Sequence, residues 1–168
     1  MAQDRRREWL NDAVTRWEKQ MLRLCFAYLG DTALAEDAVQ ETFFKAWKHY
    51  DSFRGEAEEK TWLMRIAMNH CKDQLKSSWF RNTDRSVSPD TLPESAVPFE
   101  EHDDTVTRAV MSLPPKLREV TLLRWYQGLS LEEMVQVMRV PRSTVNYRLK
   151  KAKMILKTEL EEWYYEDE

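Results

Sequence analysis

Apolar side chains recur along most of this chain at spacings of three and four, the period of a helix with one buried face. Trp17, Met21, Leu24 and Tyr28 set up the first such helix, which Gly30 ends. Asp31 is placed to cap a second, whose inner side consists of Ala35, Ala38, Val39, Thr42, Phe43 and Ala46. A charged loop around Gly55 follows, and Leu63, Ala67, Cys71 and Leu75 then predict a third helix, with Thr61 as its candidate cap. Val106, Val110 and Leu113 begin another helical segment that Pro114 and Pro115 interrupt, while Leu117, Val120, Leu123 and Leu129 continue its core. Two last helices follow from Leu131, Met134, Val135 and Met138 and from Val145, Leu149, Ala152, Ile155 and Leu156, with only Arg139 to Pro141 between them.

That last pair reads as a helix-turn-helix. Gly128 stops the preceding helix, Ser130 with Glu133 three residues on has the form of a capping box, and Pro141 presets the backbone for a new helix start. The second helix leaves Arg142, Ser143, Thr144, Asn146, Tyr147, Arg148, Lys150, Lys151 and Lys153 off its apolar face, and no acid interrupts the run from Arg139 to Lys157. Amide and basic side chains at the start of such a helix suit base edges in the major groove, and cations beside them suit phosphates. A hairpin of two surface helices with solvated lysines is the plainer alternative on this stretch alone.

The 168 residues hold three glycines and few alternating β-branched runs, so the expected fold class is all-α. With 42% apolar residues, the chain can build one or two small cores. Residues 81–104 contain Pro89, Pro93 and Pro98 with two basic and seven acidic side chains, too little apolar surface to fold alone. They divide the chain into a domain at 1–80, an acidic linker at 81–104 and a second domain at 105–168. The net charge of −3 would be odd for a DNA-binding protein if it were evenly spread. It is concentrated in the linker and the acidic aromatic tail, which predicts weak intrinsic DNA binding and a need for a partner.

Two polar faces in the first domain are candidate surfaces. On the second helix, Asp37, Glu41 and Lys45 form a row flanked by Gln40, Phe44 and Lys48, suited either to solvent or to docking. On the third, Arg65, Asn69, Lys72 and Lys76 form a cationic stripe next to Trp62, suited to a single strand held by charge and stacking. The alternative there is a core tryptophan with solvated lysines. An enzyme is disfavoured: there is no phosphate-binding glycine loop, no HExxH and no nucleophile arrangement, and the three histidines at 49, 70 and 102 are scattered. Cys25 and Cys71 read as packed apolar residues rather than a disulfide or a metal site, and no cofactor is expected. No apolar run approaches the ~20 residues of a membrane span, and the start of the chain lacks a signal-peptide segment. The expectation is a soluble, cytoplasmic protein.

Taken in order, LGDTALAEDAVQETFFKAW, YDSFRGEAEEKTWLMRIAMNHCKDQL and LPPKLREVTLLRWYQGLSLEEMVQVMRVPRSTVNYRLKKAK closely resemble the extracytoplasmic-function sigma factors of bacterial RNA polymerase. The resemblance covers nearly the whole chain. It implies that the helix with Asp37, Gln40, Glu41, Phe44, Lys45 and Lys48 is region two's docking surface for the β′ coiled coil of core polymerase. It implies that the loop with Phe53 and Arg54, and the helix with Trp62, Arg65, Asn69, Lys72 and Lys76, melt the promoter's minus-ten element and hold an extruded base. Residues 105–160 are implied to be region four, which reads the minus-thirty-five element and contacts the β flap. The linker would thread the polymerase's nucleic-acid channel, and an anti-sigma factor is the expected inhibitor. A stand-alone helix-turn-helix regulator is the other reading, and it leaves the aromatic loop and helix at 53–80 without a purpose. The sequence departs from the family in its reading turn, where many relatives have Gly at the position of Arg139 and a small residue at that of Val135.

Overall fold

The computed structural model describes residues 1–53, 58–81 and 104–166, so Arg54 and most of the acidic linker lie outside the described residues. Among these residues the chain is helical and has no strand, and it divides into two units, Met1–Pro98 and Phe99–Glu168.

The first unit packs three helices against one another: α1 (Ala2–Leu29), α2 (Thr32–Lys48) and α3 (Glu59–Arg81), with a 3-10 turn at Tyr50–Ser52. Gly30 ends α1 in a left-handed conformation at φ 70°, and its N–H reaches the Phe26 carbonyl at 2.7 Å. One residue later Asp31 starts α2 by accepting a hydrogen bond from the Leu34 N–H at 2.9 Å. The six inward positions expected on α2 are its buried residues. Three of them are alanines with no exposure, which lets α2 sit close to its neighbours. Met21, Leu24, Leu63, Met64 and Met68 fill the centre. Cys25 and Cys71 are buried and not joined in a disulfide, in keeping with their reading as packed apolar residues. α1 runs from Ala2, well upstream of Trp17. One expectation needs correction: α3 begins at Glu59, so Thr61 is a buried residue of its first turn and not its cap.

The second unit contains α4 (Asp104–Ser112), α5 (Pro115–Thr121), α6 (Leu131–Met138) and α7 (Arg142–Glu166). Pro114 separates α4 from α5, and the Arg118 side chain ties the break together by donating to the Met111 and Leu113 carbonyls at 2.7 and 3.2 Å. α5 widens into a π-helical turn at Leu122–Tyr126, closed by the Gln127 N–H on the Leu122 carbonyl at 2.9 Å. The exit is then held by the Arg124 guanidinium on the Leu129 carbonyl at 2.7 Å. Val110, Leu113, Leu117, Val120, Leu122, Leu123 and Leu129 line the core that α7 covers. No helix among the described residues is long and apolar enough to cross a membrane.

Candidate nucleic-acid interface

The helix-turn-helix is assembled from local rules. Ser130 and Glu133 form the full capping box: the Glu133 N–H donates to Ser130 Oγ at 3.1 Å, and the Ser130 N–H donates to Glu133 Oε1 at 3.0 Å. Met134, Val137 and Met138 are the buried residues of α6, whereas Leu131 and Val135, expected inside, are only half-buried. Arg139 takes the left-handed conformation at φ 54° and ψ 44°, and its N–H reaches the Val135 carbonyl at 2.9 Å. The turn therefore keeps the geometry that glycine favours, with a side chain in place. Replacing Arg139 by glycine should relieve this conformation at some entropic cost, a net gain of roughly 0.5–1 kcal/mol. A thermal melt would show this as a rise of roughly 2–8 °C in the transition of this unit.

α7 then turns its polar side outward. Val145 and Ala152 have no exposure and anchor the helix. Ser143, Asn146, Tyr147 and Lys150 are exposed on one side at spacings of three, one and three, with Lys151 and Lys153 exposed beside them. Thr144 and Arg148 are half-buried. Arg142 is exposed but engaged: its guanidinium donates to Glu132 Oε1 at 3.0 Å, an ion pair that links α6 to α7. The Lys151 ammonium stands 5.8 Å from the centre of the Tyr147 ring. Burial raises the Tyr126 phenol above its ordinary value, so it is neutral at physiological pH.

In the first unit, the outer face of α2 exposes Asp37, Gln40, Phe44 and Lys48, with Glu41 and Lys45 half-buried. Phe44 keeps 48% of its surface, and the Lys48 ammonium lies 4.6 Å from its ring centre. Asp37 is not simply solvated. It accepts a hydrogen bond from Gln74 Nε2 at 2.8 Å, and His70 Nε2 lies 3.6 Å away, so this end of the α2 row is braced by α3. On α3, Asn69 and Lys76 are exposed and Arg65 and Lys72 half-buried. Trp62 differs from them: it is 7% exposed and packs with Phe53 at 4.9 Å and Trp9 at 6.0 Å. Of the two readings the residues allowed, this is the core one. Trp9 and Glu59 were not singled out from sequence. The signal was present in Trp9 and Trp17, about two turns apart on one helix, but the Glu59 carboxylate that accepts from both indoles lies 50 and 42 residues away in the chain.

The two units correspond to two family models. Residues 13–81 match Sigma-70 region 2, and residues 103–156 match Sigma-70, region 4. The ECF RNA polymerase sigma-E factor of Escherichia coli K12 is 35% identical over 159 residues, covering 85% of this chain and 82% of that protein. The chain belongs to the extracytoplasmic-function sigma factors. SigW of Bacillus subtilis, another, is 30% identical over 163 residues, covering 89% of this chain and 87% of that one. Among solved structures, the sigma factor RpoE in complex with the anti-sigma factor NepR from Bartonella quintana is similar at TM-score 0.68 and 26% identity, covering 85% of this chain and 91% of that one. This sigma factor directs promoter-specific initiation by RNA polymerase and is not itself an enzyme.

Proposed function

We propose that the sigma factor divides its work as follows. Residues 1–80 dock on the β′ coiled coil of core polymerase through Asp37, Gln40, Glu41, Phe44, Lys45 and Lys48. They open the minus-ten element with the Phe53 and Arg54 loop and the α3 stripe of Arg65, Asn69, Lys72 and Lys76, which Trp62 supports from within. Residues 81–104 are the acidic linker. Residues 105–168 read the minus-thirty-five element through α7 and contact the β flap. The protein works in the cytoplasm and is held inactive by an anti-sigma factor, as the similar Bartonella quintana protein is found in complex with one.

The observation that carries the docking assignment is the α2 face, where a half-exposed phenylalanine stands among charged groups while every apolar position opposite is buried. An aromatic side chain rimmed by polar groups is the composition that protein–protein contact surfaces favour. Reversing Asp37 and Glu41 together to lysine is expected to weaken core binding by about tenfold or more, because like charges then meet across the interface. The fold should survive, with a loss within about 1 kcal/mol, because these are surface charges. Fluorescence titration of core polymerase, read beside a thermal melt, tests both parts. Normal core binding by the double variant would remove α2 from the interface.

A further inference from the structure

The first three turns of α1, residues 2–12, lie upstream of the stretch that matches region two, yet they are tied to the root of α3. Trp9 Nε1 donates to Glu59 Oε2 at 3.1 Å, and Trp17 Nε1 donates to Glu59 Oε1 at 2.9 Å. One carboxylate thus gathers two indoles that start roughly 12 Å apart along the helix axis. The Arg16 guanidinium is 3.9 Å from the same Oε1. Nearby, Arg6 donates to Asp51 Oδ2 at 2.9 Å and lies over the rings of Trp47 and Tyr50 at 5.3 and 5.6 Å. The Trp9 ring continues the cluster against Tyr50 at 5.1 Å and Trp62 at 6.0 Å.

These contacts fix two places at once. Asp51 and Tyr50 precede Phe53, and Glu59 and Trp62 open α3, from which the Arg65 and Asn69 stripe follows at helical spacing. Apolar packing alone would hold α1 on α3 but would tolerate small slides and rotations. Two hydrogen bonds to one shared carboxyl group are directional and do not.

We propose that Glu59, Trp9 and Trp17 are positioning residues for promoter opening: they hold the root of α3 in the register that lets its polar stripe receive the melted minus-ten strand. This presupposes that the α3 stripe meets that strand. Glu59 touches no DNA in this role. It acts through Trp9 and Trp62, and it has no part in core docking, which belongs to α2.

The experiment uses the full-length protein in holoenzyme. Glu59→Ala and Trp9→Phe, the second keeping an aromatic ring of smaller size but lacking the N–H, are compared with wild type for core affinity, closed-complex binding and the rate of open-complex formation. Asn69→Ala is run alongside as the check on the stripe itself. The expected result is normal core affinity, with opening slowed about tenfold for Glu59→Ala and about threefold for Trp9→Phe, from the loss of two and one hydrogen bonds. On a promoter already mismatched across the minus-ten element, the Glu59→Ala defect should largely disappear. Wild-type opening rates for both variants, with Asn69→Ala impaired, would overturn the positioning role and leave the stripe assignment standing. Should Asn69→Ala also open normally with an unchanged minus-ten preference, the stripe assignment itself fails and takes the positioning role with it. A Glu59→Ala defect equally deep on the mismatched promoter would make Glu59 a general support of the fold, against the proposal. Trp9→Phe decides the matter if Glu59→Ala does not fold.

Discussion

Holoenzyme carrying Asn146→Ala is expected to prefer a different minus-thirty-five sequence from wild type, and Lys150→Ala to do the same, whereas Lys151→Ala and Lys153→Ala should weaken all promoters alike. The expectation follows from where α7 leaves these groups. Asn146 and Lys150 lie one turn apart, both exposed, on the side away from the buried Val145 and Ala152. An amide can pair with two edge atoms of adenine and an ammonium can reach guanine acceptors, so losing either removes discrimination of roughly 1–3 kcal/mol at one position. Lys151 sits to one side and Lys153 about two turns beyond Asn146, further along the helix, and both offer only charge. Their loss should lower affinity without regard to sequence and reduce the steepness of its salt dependence. Transcription from a library randomised across that element, at two salt concentrations, separates the outcomes. A uniform loss for Asn146→Ala with an altered preference for Lys153→Ala would mean that a later stretch of α7 lies in the groove.

Met134→Ala should have the largest effect on stability, and it should fall on one unit only. Met134 has no exposure and lies on α6, which packs against α7 and the π-helical turn. Truncation there leaves a cavity in a small core, at a cost of roughly 2–5 kcal/mol. A domain of this size has total stability of only about 3–10 kcal/mol, so much or all of the second unit's margin goes. Calorimetry or limited proteolysis should show that unit melting early, with the transition of the first unit unmoved. Promoters that depend on the minus-thirty-five element should then be lost while core binding persists. A single transition that shifts as a whole would mean that the two units unfold together.

Much of the interface was legible in the sequence because its determinants are local. The capping box needs only Ser130 and Glu133 three apart, the cap of α2 needs only Asp31, and the exposed row on α7 is what remains once an apolar stripe is assigned by period. The same reasoning found all six buried positions of α2. It missed the inward turn of Val137 and left Val135 too deep, because α6 is a short helix whose orientation depends on what α7 and the π-helical turn place beside it.

Periodicity, capping and charge distribution thus determined, without any coordinates, that this chain is helical, that an acidic Pro-containing stretch separates two helical segments, and that a basic helix follows a tight turn. Tertiary structure alone decided the rest. It set whether Trp62 belongs to the core or the surface, since Trp9 and Phe53 reach it from positions no helical period connects. It gave Asp37 partners on α3, and it buried Glu119 at 1% exposure in a helix whose pattern marks only its apolar neighbours. It also joined Trp9 and Trp17 to Glu59. The physical reason is range: a helix and its caps are set by groups within four residues, while a carboxylate that binds two indoles some forty to fifty residues away meets them only after the chain has folded.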